Sequence, residues 1–491
     1  MKKQSVLNFL NLLKSKVFIF LINRYLTYFL QFVKTISIAA VLGPYYFGIW
    51  GFITLILQYL SYSNLGLQYS LNVFISTSEK GDSKKDSIIF SSSMIITAFI
   101  GFLLLILGVI PFIFDFKIFP KYSFSNYVLL VVIIAILRNF NQLFINLYRS
   151  YGYLYKISIS QFLLQAALLP FVFIFKGENL LNVLLWVSIV VYIFSLSLFA
   201  YNAPVKFRIQ IEWSKIILIL KRGFNLLIYN ASFYLITISS RTIISSDYEV
   251  QEMGYYSFAN NLAYATLMAL GTIAWVLFPK ILYKLRSNVS NHAARNLISQ
   301  LSSLYITINF LFVFTTITFF PLLIQFLEKY KDITPTFVFL ILAQGILAYC
   351  FGYSDLAIAR KHETKLTVIG FITIIINVLV ALFYSRILHL DYSYIAFGAL
   401  LSVSFYVIML LKISYNILGD KKNIIKIINE VFSLKILLPF FIVLVGNFTI
   451  YNNYFNITGL LLFLVLNFSE LLKVIDRGKI IFTNPNIINP K

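Results

Sequence analysis

Four basic residues stand inside long apolar stretches of this 491-residue chain: Arg24, Lys34, Arg138 and Arg241. A charge at the centre of a membrane span costs roughly 2.5–3.5 kcal/mol on an insertion scale, so such residues default to a functional reading. No carboxylate stands at comparable depth to neutralise them. Asp355 is the nearest, and it lies towards the predicted cytoplasmic end of its span. Cations without matching anions predict a water-filled cavity that receives an anionic ligand. Arginine adds a planar fork that fits phosphate oxygens two at a time.

The competing reading is snorkelling, in which a long side chain lifts its charge to the interface. Arg138 lies about twelve residues into its span, roughly 18 Å along the helix, too far to reach either surface easily. Asn139, Asn141 and Gln142 surround it with polar groups at the same depth. Lys34 lies about eight residues from one span end and Arg24 about seven from the other, so both readings stand for them. Arg241 is a few residues from the end of its span, where snorkelling is the simpler expectation.

The elements that must hold these residues follow from composition. The chain is 60% apolar and only 12% charged, with a mean hydropathy of +0.85. So few charges cannot cover a water-exposed surface, and hydrocarbon must be the solvent for most of the chain. Apolar runs of about twenty residues fall near 17–42, 47–77, 88–114, 125–148, 155–175, 179–202, 223–244, 254–279, 297–325, 334–359, 366–385, 393–411, 434–450 and 454–470. The expected fold is an all-α polytopic membrane protein with about fourteen transmembrane helices. Residues 2–16 alternate Val6, Leu7, Phe9, Leu10 and Leu13 with Lys2, Lys3 and Lys14, as in a helix lying at the interface.

Lys and Arg number 40 against 18 Asp and Glu, a formal net charge of +22. The basic residues lie between apolar runs rather than on one folded face, which argues against nucleic acid and for loop charge that sets topology. With a cytoplasmic N-terminus, the inner segments hold about 30 Lys and Arg and the outer loops about 6. Both termini are therefore predicted to be cytoplasmic. Cys350 is the single cysteine, and His292, His362 and His389 lack metal-site spacing, so neither a metal nor another cofactor is expected. Gln58, Asn64, Asn225, Asn230, Asn260 and Asn261 sit in or near spans, where interhelical hydrogen bonding is the ordinary role of an amide.

The two halves echo each other. Gly48-Ile49-Trp50-Gly51-Phe52 opens the second span, and Gly254-Tyr255-Tyr256-Ser257-Phe258 opens the eighth about 206 residues later. Arg149 and Lys156 follow the fourth span as Arg360 and Lys365 follow the tenth. The expected organisation is an N-terminal six-helix lobe over 1–202 and a cytoplasmic linker over 203–222. A second six-helix lobe over 223–415 and a C-terminal helix pair with tail over 416–491 complete it. Under the same offset Lys34 maps to Ser240, beside Arg241, so a cation from each lobe would face one shared cavity.

The segment Leu42-Gly43-Pro44-Tyr45-Tyr46-Phe47-Gly48-Ile49-Trp50, with Gln58 and Leu65-Gly66-Leu67, resembles the O-antigen and repeat-unit polysaccharide flippases (Wzx type). These belong to the multidrug/oligosaccharidyl-lipid/polysaccharide exporter superfamily. Met253-Gly254-Tyr255-Tyr256 through Phe278-Pro279 is similar to that family's second lobe, and the resemblance covers most of 17–415. It implies a transporter of the bacterial inner membrane, not an enzyme. It moves an undecaprenyl-diphosphate-linked oligosaccharide repeat unit between leaflets by alternating access. A lipid diphosphate fits the cationic cavity expected from Arg138, Lys34, Arg24 and Arg241. The resemblance also implies a coupling ion, H+ or Na+, and membrane proteins of polymer assembly as partners.

Three other functions compete. A drug/cation exporter of the same superfamily needs intramembrane carboxylates as partners for its cargo, and this chain offers cations. A peptidoglycan-precursor flippase has the same span number but an early arginine-rich pattern not evident here. A multi-pass polysaccharide polymerase needs catalytic groups on sizeable external loops, and the outer loops are short.

Overall fold

A chain segment in hydrocarbon must satisfy every backbone N–H and C=O within itself, and a helix does so. The computed structural model describes residues 16–77, 83–207, 212–285, 289–449 and 453–474, some side chains within these helices excepted. Helix makes up most of the described part of each predicted span, with turns inside the second, fifth and tenth. The expected interfacial helix, apart from Lys16, and the C-terminal tail from 475 lie outside the described residues. Nine described helices are long and apolar enough to cross a membrane, or up to eleven if two bent pairs each count as one span. The first of them is itself double. Helix α1 (Lys16–Leu60) breaks at Gly43, whose φ of 67° is left-handed, and Pro44 supplies no N–H there.

The chain divides into two compact units. The N-terminal unit comprises Ile22–Tyr234 and Tyr248–Ser257. It holds most of α1, then α2 (Leu67–Thr77), α3 (Ser83–Ile113), α4 (Val128–Ser150), α5 (Leu154–Ala166), α6 (Leu169–Val172) and α7 (Gly177–Ala200). Helix α4 is its hub, touching α2, α3, α5 and α7. One face of α4 buries Leu143, Phe144, Leu147 and Tyr148 against Phe90, Phe199, Ile216 and Ile219. Phe144 stacks on Phe199 with ring centroids 5.9 Å apart.

The glycines of the sequence motifs place backbone against backbone in this unit. A Cβ on Gly48 would lie 1.9 Å from the Val250 carbonyl oxygen, and one on Gly254 would lie 2.1 Å from that of Pro44. The two motifs that mark the repeat therefore cross each other directly, as small residues allow in membrane helices. In the turn inside the second span, between α1 and α2, Gly66 has a φ of +76°, and a Cβ there would meet the Gly223 carbonyl oxygen at 2.0 Å. The Asn64 side chain accepts from the Gly66 N–H at 3.0 Å and closes that turn.

The second unit comprises Met1–Leu21, Leu235–Asp247 and Phe258–Lys491. Helices α8 (Trp213–Asp247) and α9 (Val250–Lys284) each lend it their larger or final part. They are followed by α10 (Asn291–Gln325), α11 (Thr334–Leu347), α12 (Tyr353–Ala359), α13 (Glu363–Leu382) and α14 (Ser393–Ile417). Helix α14 is the hub here, against α11, α12 and α13. The last two spans, α16 (Leu434–Thr449) and α17 (Asn453–Leu466), form the expected hairpin. Asn447 donates to Asn456 across it at 2.7 Å.

Boundaries differ from the apolar windows for physical reasons. Helix α8 starts at Trp213, ahead of the window at 223, because a helix continues past the hydrocarbon while its backbone bonds hold. The tenth span breaks at Gly352, φ +83°, where Asp355 accepts the Gly352 N–H at 3.2 Å and starts α12. A short amphipathic helix, α15 (Ile424–Val431), precedes α16 at an angle of 93° and had no counterpart among the apolar runs.

Candidate functional site

The structure sorts the four intraspan cations by their partners. Arg24 donates its Nε to the Tyr28 hydroxyl at 2.7 Å and a terminal nitrogen to Gln161 Oε1, with the guanidinium 4.9 Å from the Tyr28 ring centre. Lys34 Nζ donates to Gln165 Oε1 at 2.6 Å. Residues 24 and 34 thus meet 161 and 165 in the same order, so α1 and α5 run parallel there, as the first and fifth spans must. Neither cation is a bare charge lifted to an interface.

Arg138 stands near the middle of α4 and is partly exposed. It has no hydrogen-bond or ion-pair partner among the described residues. The hydroxyls of Tyr62 and Tyr192 lie within range of its charge. The amides around it have settled roles. Asn139 Nδ2 donates to Ser63 Oγ at 3.1 Å, and Asn141 Nδ2 to Ser195 Oγ at 2.6 Å. Ser195 Oγ in turn lies 2.5 Å from Ser160 Oγ, next to the residue that holds Arg24. One polar layer therefore links α1, α4, α5, α7 and the turn after α1, and Arg138 is its one cation left for a ligand among the described residues. Down the same face of α4, Gln142, Asn146 and Arg149 follow at helical spacing and are also partly exposed.

Arg241 belongs to the other unit and differs in kind. It is 2% exposed and so does not snorkel; the few residues to the end of α8 are covered by protein. Its neighbour Ser240 accepts from Asn377 Nδ2 at 2.9 Å. The same amide donates to Ser239 Oγ at 2.9 Å and to the Ile236 carbonyl at 3.0 Å. Asn260 is buried and Asn261 partly exposed, while the side chains of Asn225 and Asn230 lie outside those described.

Electrostatics outside the spans are mostly structural. Arg386 donates to both carboxylate oxygens of Asp247 at 2.9 and 3.0 Å, and Ser385 adds a third bond at 2.8 Å. These donors, Arg386 foremost, hold the Asp247 carboxyl down at about 2. Two of the basic residues singled out after the fourth and tenth spans, Lys156 and Arg360, close helix ends. Lys156 Nζ donates to the Leu198 carbonyl at 3.1 Å and to that of Tyr201. Arg360 donates to the Ile417 carbonyl at 3.3 Å. In each half a cation thus meets the negative end of the sixth or twelfth span. Among the described residues no group of His, Cys, Asp and Glu could hold a metal ion.

Sequence reasoning missed Gln161 and Gln165, although their spacing of four in an apolar run was visible. It had no means to choose Tyr62 and Tyr192 among 33 tyrosines.

Comparison with known proteins bears on this arrangement. A family model described as "polysaccharide biosynthesis protein" matches residues 13–282. No curated protein matches by sequence. Among solved structures, an inward-facing multidrug resistance MATE family transporter of the MOP superfamily superposes with a TM-score of 0.69 at 12% identity, over 81% of this chain and 98% of that one. The lipid II flippase MurJ in an inward closed conformation also reaches 0.69, at 14% identity over 93% of this chain and 99% of the other. An outward-facing MATE transporter gives 0.55 at 10% identity, over 83% and 97%. The chain therefore shares the fold of these transporters, a multi-pass membrane fold.

Proposed function

Because the chain belongs to the family of polysaccharide biosynthesis proteins, we propose that it is a flippase for undecaprenyl-diphosphate-linked oligosaccharide repeat units. It carries them from the inner to the outer leaflet of the bacterial cytoplasmic membrane for surface polysaccharide synthesis, with both termini in the cytoplasm and no enzymatic step of its own. The observation that carries this reading is Arg138: a cation at mid-span, partly exposed, with no protein anion or acceptor among the described residues. Leaving it so is costly unless water and then an anionic cargo take up its donors. Arg24 and Lys34 add positive charge in the same unit, each held in place by a glutamine. Arg241 belongs to the proposed path as a charge set behind the surface rather than as a contact. Alternating access, an H+ or Na+ gradient and contacts with polymer-assembly proteins complete the proposal.

A solved structure of this fold is named a lipid II flippase and another a multidrug transporter. A cationic drug would need a carboxylate where this chain presents Arg138, so the lipid-linked cargo is the better fit. The test is complementation. Put into a strain lacking its own repeat-unit flippase, the wild type restores surface polymer, and Arg138→Ala at equal membrane abundance does not. Restoration by both would remove Arg138 from the path. Failure of the wild type across a panel of strains with different repeat units would overturn the flippase reading.

A further inference from the structure

Two tyrosines are arranged about Arg138 by the same bonds that fix the polar layer. Tyr62 adjoins Ser63, which Asn139 holds at 3.1 Å. Tyr192 lies one turn before Ser195, which Asn141 holds at 2.6 Å. Asn139 and Asn141 follow Arg138 by one and three residues, which at helical spacing puts them on either side of it around α4, so the turn after α1 and helix α7 are both tied to α4 at the depth of the guanidinium. Both tyrosines are partly exposed, and neither hydroxyl has a hydrogen-bond partner among the described residues. A phenol without a partner inside a span is as costly as any other unmet donor, and two of them around one unpaired guanidinium form a set of donors awaiting one acceptor.

Resting on the flippase reading, we infer that Tyr62 and Tyr192 complete with Arg138 a subsite that distinguishes a diphosphate from a monophosphate. The donor count gives the reason. A diphosphate joined to a lipid at one end and a sugar at the other has four non-bridging oxygens, two on each phosphorus. The guanidinium fork takes two oxygens in bidentate fashion. Two phenol O–H groups then serve the remaining two. A single phosphate diester has only two such oxygens, and Arg138 alone satisfies them. The tyrosines therefore add affinity for the second phosphate and little for the first. Because each phenol would donate to a charged acceptor, each is expected to contribute about tenfold.

The experiment measures binding to the full chain in nanodiscs by native mass spectrometry, with an undecaprenyl-diphosphate-linked sugar and an undecaprenyl-phosphate-linked sugar as probes and inorganic diphosphate as competitor. The wild type prefers the diphosphate lipid. In Tyr62→Phe/Tyr192→Phe the preference falls by about a hundredfold, about tenfold for each phenol, while monophosphate affinity stays and thermal stability is unchanged. Arg138→Ala loses affinity for both lipids. A double tyrosine variant that keeps the wild-type preference, with Arg138→Ala still defective, overturns the subsite and leaves the flippase reading standing. A wild type that binds neither lipid overturns both. If inorganic diphosphate binds as tightly as the lipid and suffers the same loss in the double variant, the subsite stands but serves a free anion instead of a lipid headgroup.

Discussion

Arg138 and Arg241 are the same residue type, each predicted inside a membrane span, and the protein treats them in opposite ways. Around Arg138 the amides are occupied with neighbouring helices, Asn139 with Ser63 and Asn141 with Ser195, and the cation is left partly exposed. Around Arg241 everything is enclosed. The guanidinium is 2% exposed, and the adjoining Ser240 is tied to Asn377. The lesson is that an intramembrane charge does not by itself mark a ligand contact. What matters is whether protein groups already use its donors and whether a ligand can reach it. A buried arginine supports the fold and sets a field, whereas a partly exposed one with open donors can bind.

The sharpest way to break this comparison is to remove each arginine in turn. Arg138→Ala should lower transport by about 10- to 100-fold, the worth of one or two charge-assisted hydrogen bonds, with stability changed by about 0.5 kcal/mol or less. Arg241→Met should do the reverse, costing about 3 kcal/mol or more of stability because it strips donors from a closed site. Thermal unfolding in detergent, read beside a transport assay, separates the two. If Arg241→Met folds normally and only transport fails, the two regions do not differ as argued.

The helix crossing that fixes the N-terminal unit gives the next effect. Gly48→Val places a side chain where a Cβ already lies 1.9 Å from a backbone oxygen. The helices must separate, at a cost of about 1–3 kcal/mol, visible as a lower unfolding temperature. A smaller effect sharpens the comparison at the amides. Asn141→Ala and Asn377→Ala should each cost about 0.6 kcal/mol, typical of an interhelical bond in a membrane protein. Only Asn141→Ala should also weaken transport, since its bond positions α7 beside Arg138. Equal transport in the two variants would count against the layer as a scaffold for the site.

The smallest effect lies in the acid limb of stability. Arg386 holds the Asp247 carboxyl at about 2, below its ordinary 3.8. A carboxylate depressed in the folded state stabilises fully above the ordinary value, and that stability is lost as pH falls through about 2. Unfolding temperatures measured from pH 4 down to pH 2 should fall more steeply for the wild type than for Asp247→Asn. Parallel curves would show that this exposed pair adds nothing, as surface pairs often do.

The sequence by itself determined the solvent and the elements. A chain with 60% apolar residues and 12% charged ones must be folded in hydrocarbon, and there the backbone has to close its bonds within each segment, so helix over every long apolar run was forced. The glycine motifs were legible for the same kind of reason, because Gly66 at φ +76° and Gly48 against a carbonyl oxygen leave no room for a Cβ. The closing hairpin of α16 and α17 was visible too. Which cation is open to a ligand was not. Distance from a span end suggested that Arg241 could reach the interface, but distance along one helix takes no account of the helices around it, and those enclose the side chain. Gln161 and Gln165 meet Arg24 and Lys34 from more than a hundred residues away. Tyr62 and Tyr192 feel the charge of Arg138 across segments that Asn139 and Asn141 tie to α4. Helix formation is local and is written in the order of residues. Partnership between side chains is set by which helices become neighbours, and only the tertiary structure decides that.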